Sequence, residues 1–390
     1  MAPSVTHLYV HVPFCRSRCG YCDFASEPIG PHLEARRVER YLEVMGEELT
    51  GWVHRGVGPF ATIYVGGGTP TVLPRAPLLE LVARLKQLQA GVACRELTLE
   101  ANPGTVDAEL LQALASSGVT RLSLGVQSFS PRLREALGRA VEQEEIESAF
   151  VALAEAGWED WNLDLVFGIP GQDWELAAAD LTAAVEAGPT HISLYDLSYT
   201  PEYAAWVRRT RGAGARRAAG AFAERYLEAA VARLEAAGYR RYEISNFARP
   251  GYECRHNLAY WRGEDYLGVG ASAVSTVGLV RWINPRSVAD YLEGVPPQVE
   301  RLSGRTRLWE KAMLGLRTQE GVEEAAVSPV LDQRWLARLL EQGCVRKRYG
   351  RLCLHPTYLN VSNAVLSTLL CDPDEGRQEP WHSPRDNERS

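Results

Sequence analysis

Through its first half the chain alternates short apolar runs with longer stretches of helical periodicity. The apolar runs fall at 7–13 (HLYVHVP), 61–68 (ATIYVGGG), 96–103 (ELTLEANP), 120–128 (TRLSLGVQS), 161–170 (WNLDLVFGIP) and 191–197 (HISLYDL). Each is rich in Val, Ile, Leu or Tyr and reads as a strand. Between them the pattern predicts helices over 33–54, 76–88, 107–117, two segments ending near Ala156, and 173–187. Strands that alternate with helices of ten to fifteen residues suggest parallel βαβ units. Repetition of that unit favours a TIM-like barrel with its chemistry at the C-terminal strand ends. Six units predict a partial (β/α)6 barrel, in the α/β class, spanning residues 1–200.

After residue 200 the alternation fades. An Ala-rich helix is predicted over 217–237, and residues 238–300 are aromatic and glycine-rich. Residues 201–300 are assigned as a connecting region. Residues 301–371 are assigned as a small α+β domain, with a hairpin turning at Tyr349–Gly350. The polar segment 372–390 is expected to be a disordered tail.

Composition narrows the classes. The 390 residues are 46% apolar and carry a net charge of −7. No overall basic field draws the chain to nucleic acid. The basic run at 207–217 reads as a solvated loop. No apolar run reaches the roughly 18 residues of a membrane span, and the N-terminus lacks a secretory signal pattern. A cytoplasmic location is therefore expected, where thiols stay reduced. Clustered cysteines in such a chain read first as metal or cluster ligands.

Of eight cysteines, Cys15, Cys19 and Cys22 crowd one loop after the first strand, with spacing C-x3-C-x2-C. A [4Fe–4S] cube normally takes four thiolates, so three leave one iron open. The rival reading is zinc, with His11 or a distant residue as fourth ligand. The aromatic flanks favour a shielded cluster. Residues 66–70 (GGGTP) end the second strand, and adjacent glycines let backbone approach a ligand. No Lys-Ser/Thr follows, so this is not a phosphate loop. Glu100, Gln127 and Asp164 read as ends of later strands, with Arg139 in a helical segment between them. Together they place acid and amide groups around one barrel mouth. In 255–261 (RHNLAYW), His256 stands among aromatics and is a candidate haem ligand, with Cys254 as a competing thiolate. Cys94, Cys344, Cys353 and Cys371 are scattered and read as small buried hydrophobes.

The stretches YVHVPFCRSRCGYCDF, GGGTPT, LEANPG, GVQSF, LGR and DLVFGIPGQ together resemble the radical S-adenosylmethionine (SAM) enzymes. The branch they resemble holds oxygen-independent coproporphyrinogen III oxidase and its haem-chaperone relatives. The likeness covers about 7–360 and includes a winged-helix-like C-terminal domain. It implies that Cys15, Cys19 and Cys22 hold a [4Fe–4S] cluster whose open iron chelates SAM. It implies SAM contacts at Tyr9, Gly67, Gly68, Thr69, Glu100, Gln127, Arg139 and Asp164. In such enzymes reduction of the cluster cleaves SAM to a 5′-deoxyadenosyl radical.

Smaller features divide the branch. The oxidase carries a further Cys where this chain has Phe24, and the chaperones carry the H-N-x-x-Y-W motif found here at His256 to Trp261. The branch usually has His at position 141, Glu at 200 and His at 274; this chain has Val141, Thr200 and Val274. Neither Val nor Thr can replace an imidazole or a carboxylate in proton or charge chemistry. The resemblance therefore implies a haem chaperone, with 201–300 as its haem-binding region, haem-acceptor proteins as partners and an electron donor for the cluster. The alternative is radical oxidative decarboxylation of coproporphyrinogen III, or chemistry on another tetrapyrrole.

Overall fold

The structure, a computed structural model, describes residues 5–29, 35–93, 95–211 and 220–371. Two compact units divide the chain between Arg301 and Leu302.

In the first unit six strands form the predicted parallel array: β1 (His7–Val12), β2 (Thr62–Gly67), β3 (Glu96–Ala101), β4 (Arg121–Gln127), β5 (Trp161–Phe167) and β6 (His191–Asp196). They neighbour one another in sequence order. Parallel strands lie between helices, so both faces are apolar. Ile63, Leu97, Leu99, Leu122, Leu124, Val126 and Leu163 are all fully buried. Each such burial contributes about 1.5–3 kcal/mol.

The covering helices begin and end where local chemistry dictates. Asp107 accepts from Leu110 N to start Ala108–Ser117, and left-handed Gly118 ends it. Asp173 and Gly188 bound Trp174–Ala187 in the same way. Arg139 is not helical as expected. The helix Pro131–Ala136 ends before it, and Gly138 at φ 66 turns the chain, so Arg139 sits in the connector to Gln143–Glu155. Asp164 is not at a strand end either; it lies in the middle of β5. Hydrogen bonds from Asn162, Ser123 and Ser193 let a carboxylate stay inside the sheet there.

The sheet continues past the six strands on both sides. Next to β6, β8 (Asn246–Ala248) pairs antiparallel and carries β7 (Arg240–Arg241). Next to β1, β9 (Leu267–Val269) pairs parallel. These strands are two or three residues long, too short for any periodicity to mark them. Residues 201–300 thus supply both edges of the barrel sheet. The array runs linearly from β9 to β7 and is a partial barrel. The helix Pro201–Arg211 takes up the start of the basic run read as a loop. Thr200 caps it, accepting from Tyr203 N at 3.2 Å.

The second unit is α+β. Strands Val322–Glu323, Arg351–Leu354 and Val345–Arg348 form an antiparallel sheet. The hairpin turns at Tyr349–Gly350, both at positive φ. Leu316, Val330, Leu336, Leu352 and Leu369 make its own core. Cys94, residues 212–217 of the basic run and the segment 372–390 lie outside the described residues.

Candidate cluster and ligand site

The cysteine loop leaves β1 at its C-terminal end and is pinned on three sides. Phe14–Cys15 pairs with Glu27–Pro28, and Ile29 N donates to Cys15 O at 3.0 Å. Thr69 N donates to Phe14 O at 2.7 Å, and Gly20 N to Leu137 O at 3.0 Å. The Trp206 ring lies where a side chain on Gly20 would stand, 2.6 Å from its ideal Cβ. Sequence reading missed Trp206, because nothing local ties it to a loop so distant in the chain.

The glycines after β2 are dictated by this packing. Gly67 holds φ +107, a conformation other residues avoid. A Cβ on Gly68 would lie 2.5 Å from Phe14 O, a backbone atom that cannot swing away. Gly68→Ala is expected to cost about 1–3 kcal/mol by overpacking. The urea midpoint of the full chain checks this; an unchanged midpoint contradicts it.

A chain of polar contacts links two of the thiols. Thr69 Oγ1 lies 3.7 Å from Cys15 Sγ and accepts from Asn102 Nδ2 at 3.0 Å. Arg139 donates to Asn102 Oδ1 and Gly125 O, and its Nη1 lies 3.7 Å from Cys19 Sγ. Asn102, inside the LEANP run, is a site residue that sequence reading did not single out. Burial pushes the Cys15 and Cys22 thiols above their ordinary value. Among the described residues no three His, Cys, Asp or Glu side chains converge on one ion-sized position. His11, the candidate fourth zinc ligand, has both ring nitrogens engaged, with Tyr9 OH at 3.0 Å and Ala25 O at 2.9 Å.

Beside this loop opens a cavity of about 410 Å³, lined among others by Tyr9, Phe24, Tyr64, Glu100, His256 and Val274. Glu100 accepts from Tyr64 OH at 2.9 Å and from Gly67 N at 3.0 Å. Burial pushes its carboxyl up to about 7; Tyr64 pulls it down, Asp164 adds to the rise, and Gly67 pulls down again. Arg139 lines a separate, small cavity with Cys19. Gln127, at the end of β4, holds φ 70 where the ladder to β5 shifts register. Such strain in a non-glycine residue concentrates at functional sites.

His256 enters the cavity wall from the short helix Arg255–Trp261. The Glu96 carboxylate, at the start of β3, accepts from Arg255 N at 2.8 Å and His256 N at 2.9 Å. That places an anion at the helix N-terminus and fixes the ring. His256 packs against the Tyr260 and Tyr64 rings, with centroids at 4.8 and 5.4 Å. Its Nδ1 meets Thr62 Oγ1 at 2.8 Å, while its buried Nε2 has no hydrogen-bond partner among the described residues. Burial, then His7, pushes its pKa down to about 3, so the ring is neutral. Cys254 turns the other way: its sulfur lies 3.5 Å from Glu96 Oε1 and is fully buried. Of the scattered cysteines, Cys344 is buried as expected. Cys353 and Cys371 are only half-buried, a correction: Cys353 alternates along its strand with the buried Leu352 and Leu354 and so faces away from the core, and Cys371 follows the last described helix.

A parallel sheet ending in a three-cysteine loop, a glycine run and a carboxylate-lined cavity is the frame of a radical SAM protein, and the Radical SAM superfamily profile matches residues 9–182. "Heme chaperone HemW" of Synechocystis is 37% identical over 95% of this chain and 97% of that protein. The protein of the same name from Mycobacterium tuberculosis is 35% identical, covering 93% and 94%. The chain belongs to the HemW family of radical SAM proteins. Escherichia coli coproporphyrinogen III oxidase (HemN) shares the fold, with TM-score 0.78 at 23% identity over 94% of this chain and 90% of that one. Membership implies a [4Fe–4S] cluster and SAM. Among the described residues no helix is long and apolar enough to cross a membrane.

Proposed function

We propose that this chain is a haem chaperone, which binds haem in the cavity beside its cluster loop and passes it to acceptor proteins. The observation that carries the reading is the Nε2 of His256, a buried nitrogen without a partner among the described residues, on a residue that lines an aromatic cavity. A neutral imidazole with one free nitrogen is the commonest protein ligand of haem iron. Arg286, at the rim, adds a cation suited to a propionate. Haem titrated into anaerobically reconstituted full-length protein should give a Soret shift that saturates with haem. No shift would reject the reading.

Cys15, Cys19 and Cys22 are the proposed cluster ligands, with Thr69 and Arg139 supporting two of them. Bound SAM would complete the cluster's ligand set. Glu100 would hold its ammonium group and Arg139 its carboxylate, while Asp164 and Gln127 would serve the ribose side. Tyr9, Gly67 and Gly68 frame the same wall. The electron donor and the acceptor protein belong to the same reading, which follows the names of the relatives.

The Glu100 environment sets a pH dependence. An ammonium group is attracted only by the ionised carboxylate. With Glu100 near 7 instead of its ordinary 4.5, SAM affinity should rise with pH up to about 7 and level off above. The sign for folding is opposite. The folded state holds this proton more tightly, so the Glu100 contribution to stability falls as pH rises from 4.5 to 7. Equilibrium dialysis of SAM between pH 5.5 and 8.5 checks the first statement. Wild type and Glu100→Gln with the same pH profile would contradict it.

A further inference from the structure

We propose that Glu264, His7 and Thr62 form a polarised hydrogen-bond relay that fixes which ring nitrogen of His256 carries the proton, leaving Nε2 as a free lone pair; its purpose, though not its existence, rests on the haem reading above.

The relay is continuous. Glu264 Oε2 lies 2.7 Å from His7 Nε2, His7 Nδ1 lies 2.8 Å from Thr62 Oγ1, and Thr62 Oγ1 lies 2.8 Å from His256 Nδ1. The fold builds it on purpose-placed neighbours. His7 on β1 and Thr62 on β2 are register partners in the sheet. Glu264 follows the helix that carries His256. His7, Thr62 and His256 are all buried.

A hydroxyl has one proton and two lone pairs, so Thr62 donates to at most one histidine; accepting from both would leave its own buried proton without an acceptor in the relay. The relay therefore has two senses. In the first, the Glu264 carboxylate accepts from His7 Nε2–H. His7 Nδ1 then accepts from Thr62, and Thr62 accepts from His256 Nδ1–H. Both imidazoles are neutral, every donor has an acceptor, and only a lone pair at His256 Nε2 remains. In the second sense, His7 donates to Thr62 and Thr62 donates to His256 Nδ1. His7 then carries two protons, and a buried His256 Nε2–H points at no acceptor. Orphaned buried N–H groups are rarer than under-used acceptors. The first sense is the consistent one. It is also the arrangement that prepares an imidazole for a metal, because a ligating histidine donates its other N–H to an acceptor that fixes the tautomer.

Glu264, 40% exposed at its side chain, offers a handle that leaves the core intact. A carboxylate there only accepts, whereas a lysine only donates. Glu264→Lys should therefore reverse the whole relay and place the proton on His256 Nε2. Glu264→Gln, able to do either, should keep part of the native sense. The readout is long-range 1H–15N correlation on haem-free, full-length protein, with the His256 signals assigned by their loss in His256→Gln. Wild type should show the Nδ1–H form and Glu264→Lys the Nε2–H form. Haem affinity should fall about 10–100-fold in Glu264→Lys, the usual effect of losing an outer-shell partner. Thr62→Val, which cuts the relay at matched size, should lower affinity similarly. An Nε2–H form in wild type, or a Glu264→Lys protein with unchanged tautomer, overturns the relay. A reversed tautomer with unchanged haem affinity leaves the relay standing and rejects His256 as the ligand.

Discussion

His256→Ala is expected to abolish the haem-dependent Soret shift, with affinity falling at least about 100-fold, equivalent to about 2.7 kcal/mol. The size of the effect follows from how the ring is held. Its backbone is fixed by the Glu96 carboxylate, its plane by Tyr260 and Tyr64, and its Nδ1 by Thr62. A ligand so pre-organised loses little freedom on binding iron, so its removal forfeits nearly the full bond. Cys254→Ser should leave the shift in place. That thiol faces Glu96, and burial together with the Glu96 charge pushes its pKa far above the range of a reactive thiolate. His256→Gln, which can still bond Thr62, guards against loss of fold. If Cys254→Ser removes the shift and His256→Gln keeps it, the thiolate is the ligand.

The sequence carried the barrel because its strands are buried on both faces and so read as unbroken apolar runs, as in LSLGV and LDLVF. It carried the cluster loop because three thiols within eight positions read first as metal or cluster ligands. Other parts depend on contacts between distant residues. β7, β8 and β9 are two or three residues each and exist only because β6 and β1 offer open edges. Arg139 was legible by motif, but its place in a connector depends on the turn at Gly138. The relay through His7, Thr62 and Glu264 joins three segments that no periodicity relates. Val274 lines the cavity where the branch usually has His, which makes that wall apolar. Thr200, where the branch usually has Glu, serves as a helix cap. Phe24, 66% exposed on the same cavity, puts a ring where the oxidase has a thiol.

The second large effect is at the cluster. Replacing any one of Cys15, Cys19 and Cys22 by Ala should bring the iron bound after anaerobic reconstitution close to zero, together with the thiolate-to-iron charge-transfer band. In the proposed site three thiolates are the minimum that hold a cube, with the fourth position left to SAM. Losing one exposes two irons and removes the chelate closure supplied by a single short loop. Asn102→Ala should weaken the cluster without abolishing it, because it cuts only the link from Thr69 to Arg139 and leaves the thiols in place. Haem binding should largely survive in Cys22→Ala. His256 is held by Glu96 and Thr62, on β3 and β2, and by none of the cluster loop's own bonds. Some loss is expected, because Asp23, Phe24 and Ala25 on that loop line the shared cavity. The two sites are therefore separable by mutation although they share a wall. Stoichiometric zinc with no charge-transfer band in the wild-type protein would reject the cluster, and with it the role given to Arg139 and Glu100. An intact cluster in all three alanine variants would place the iron elsewhere in the chain.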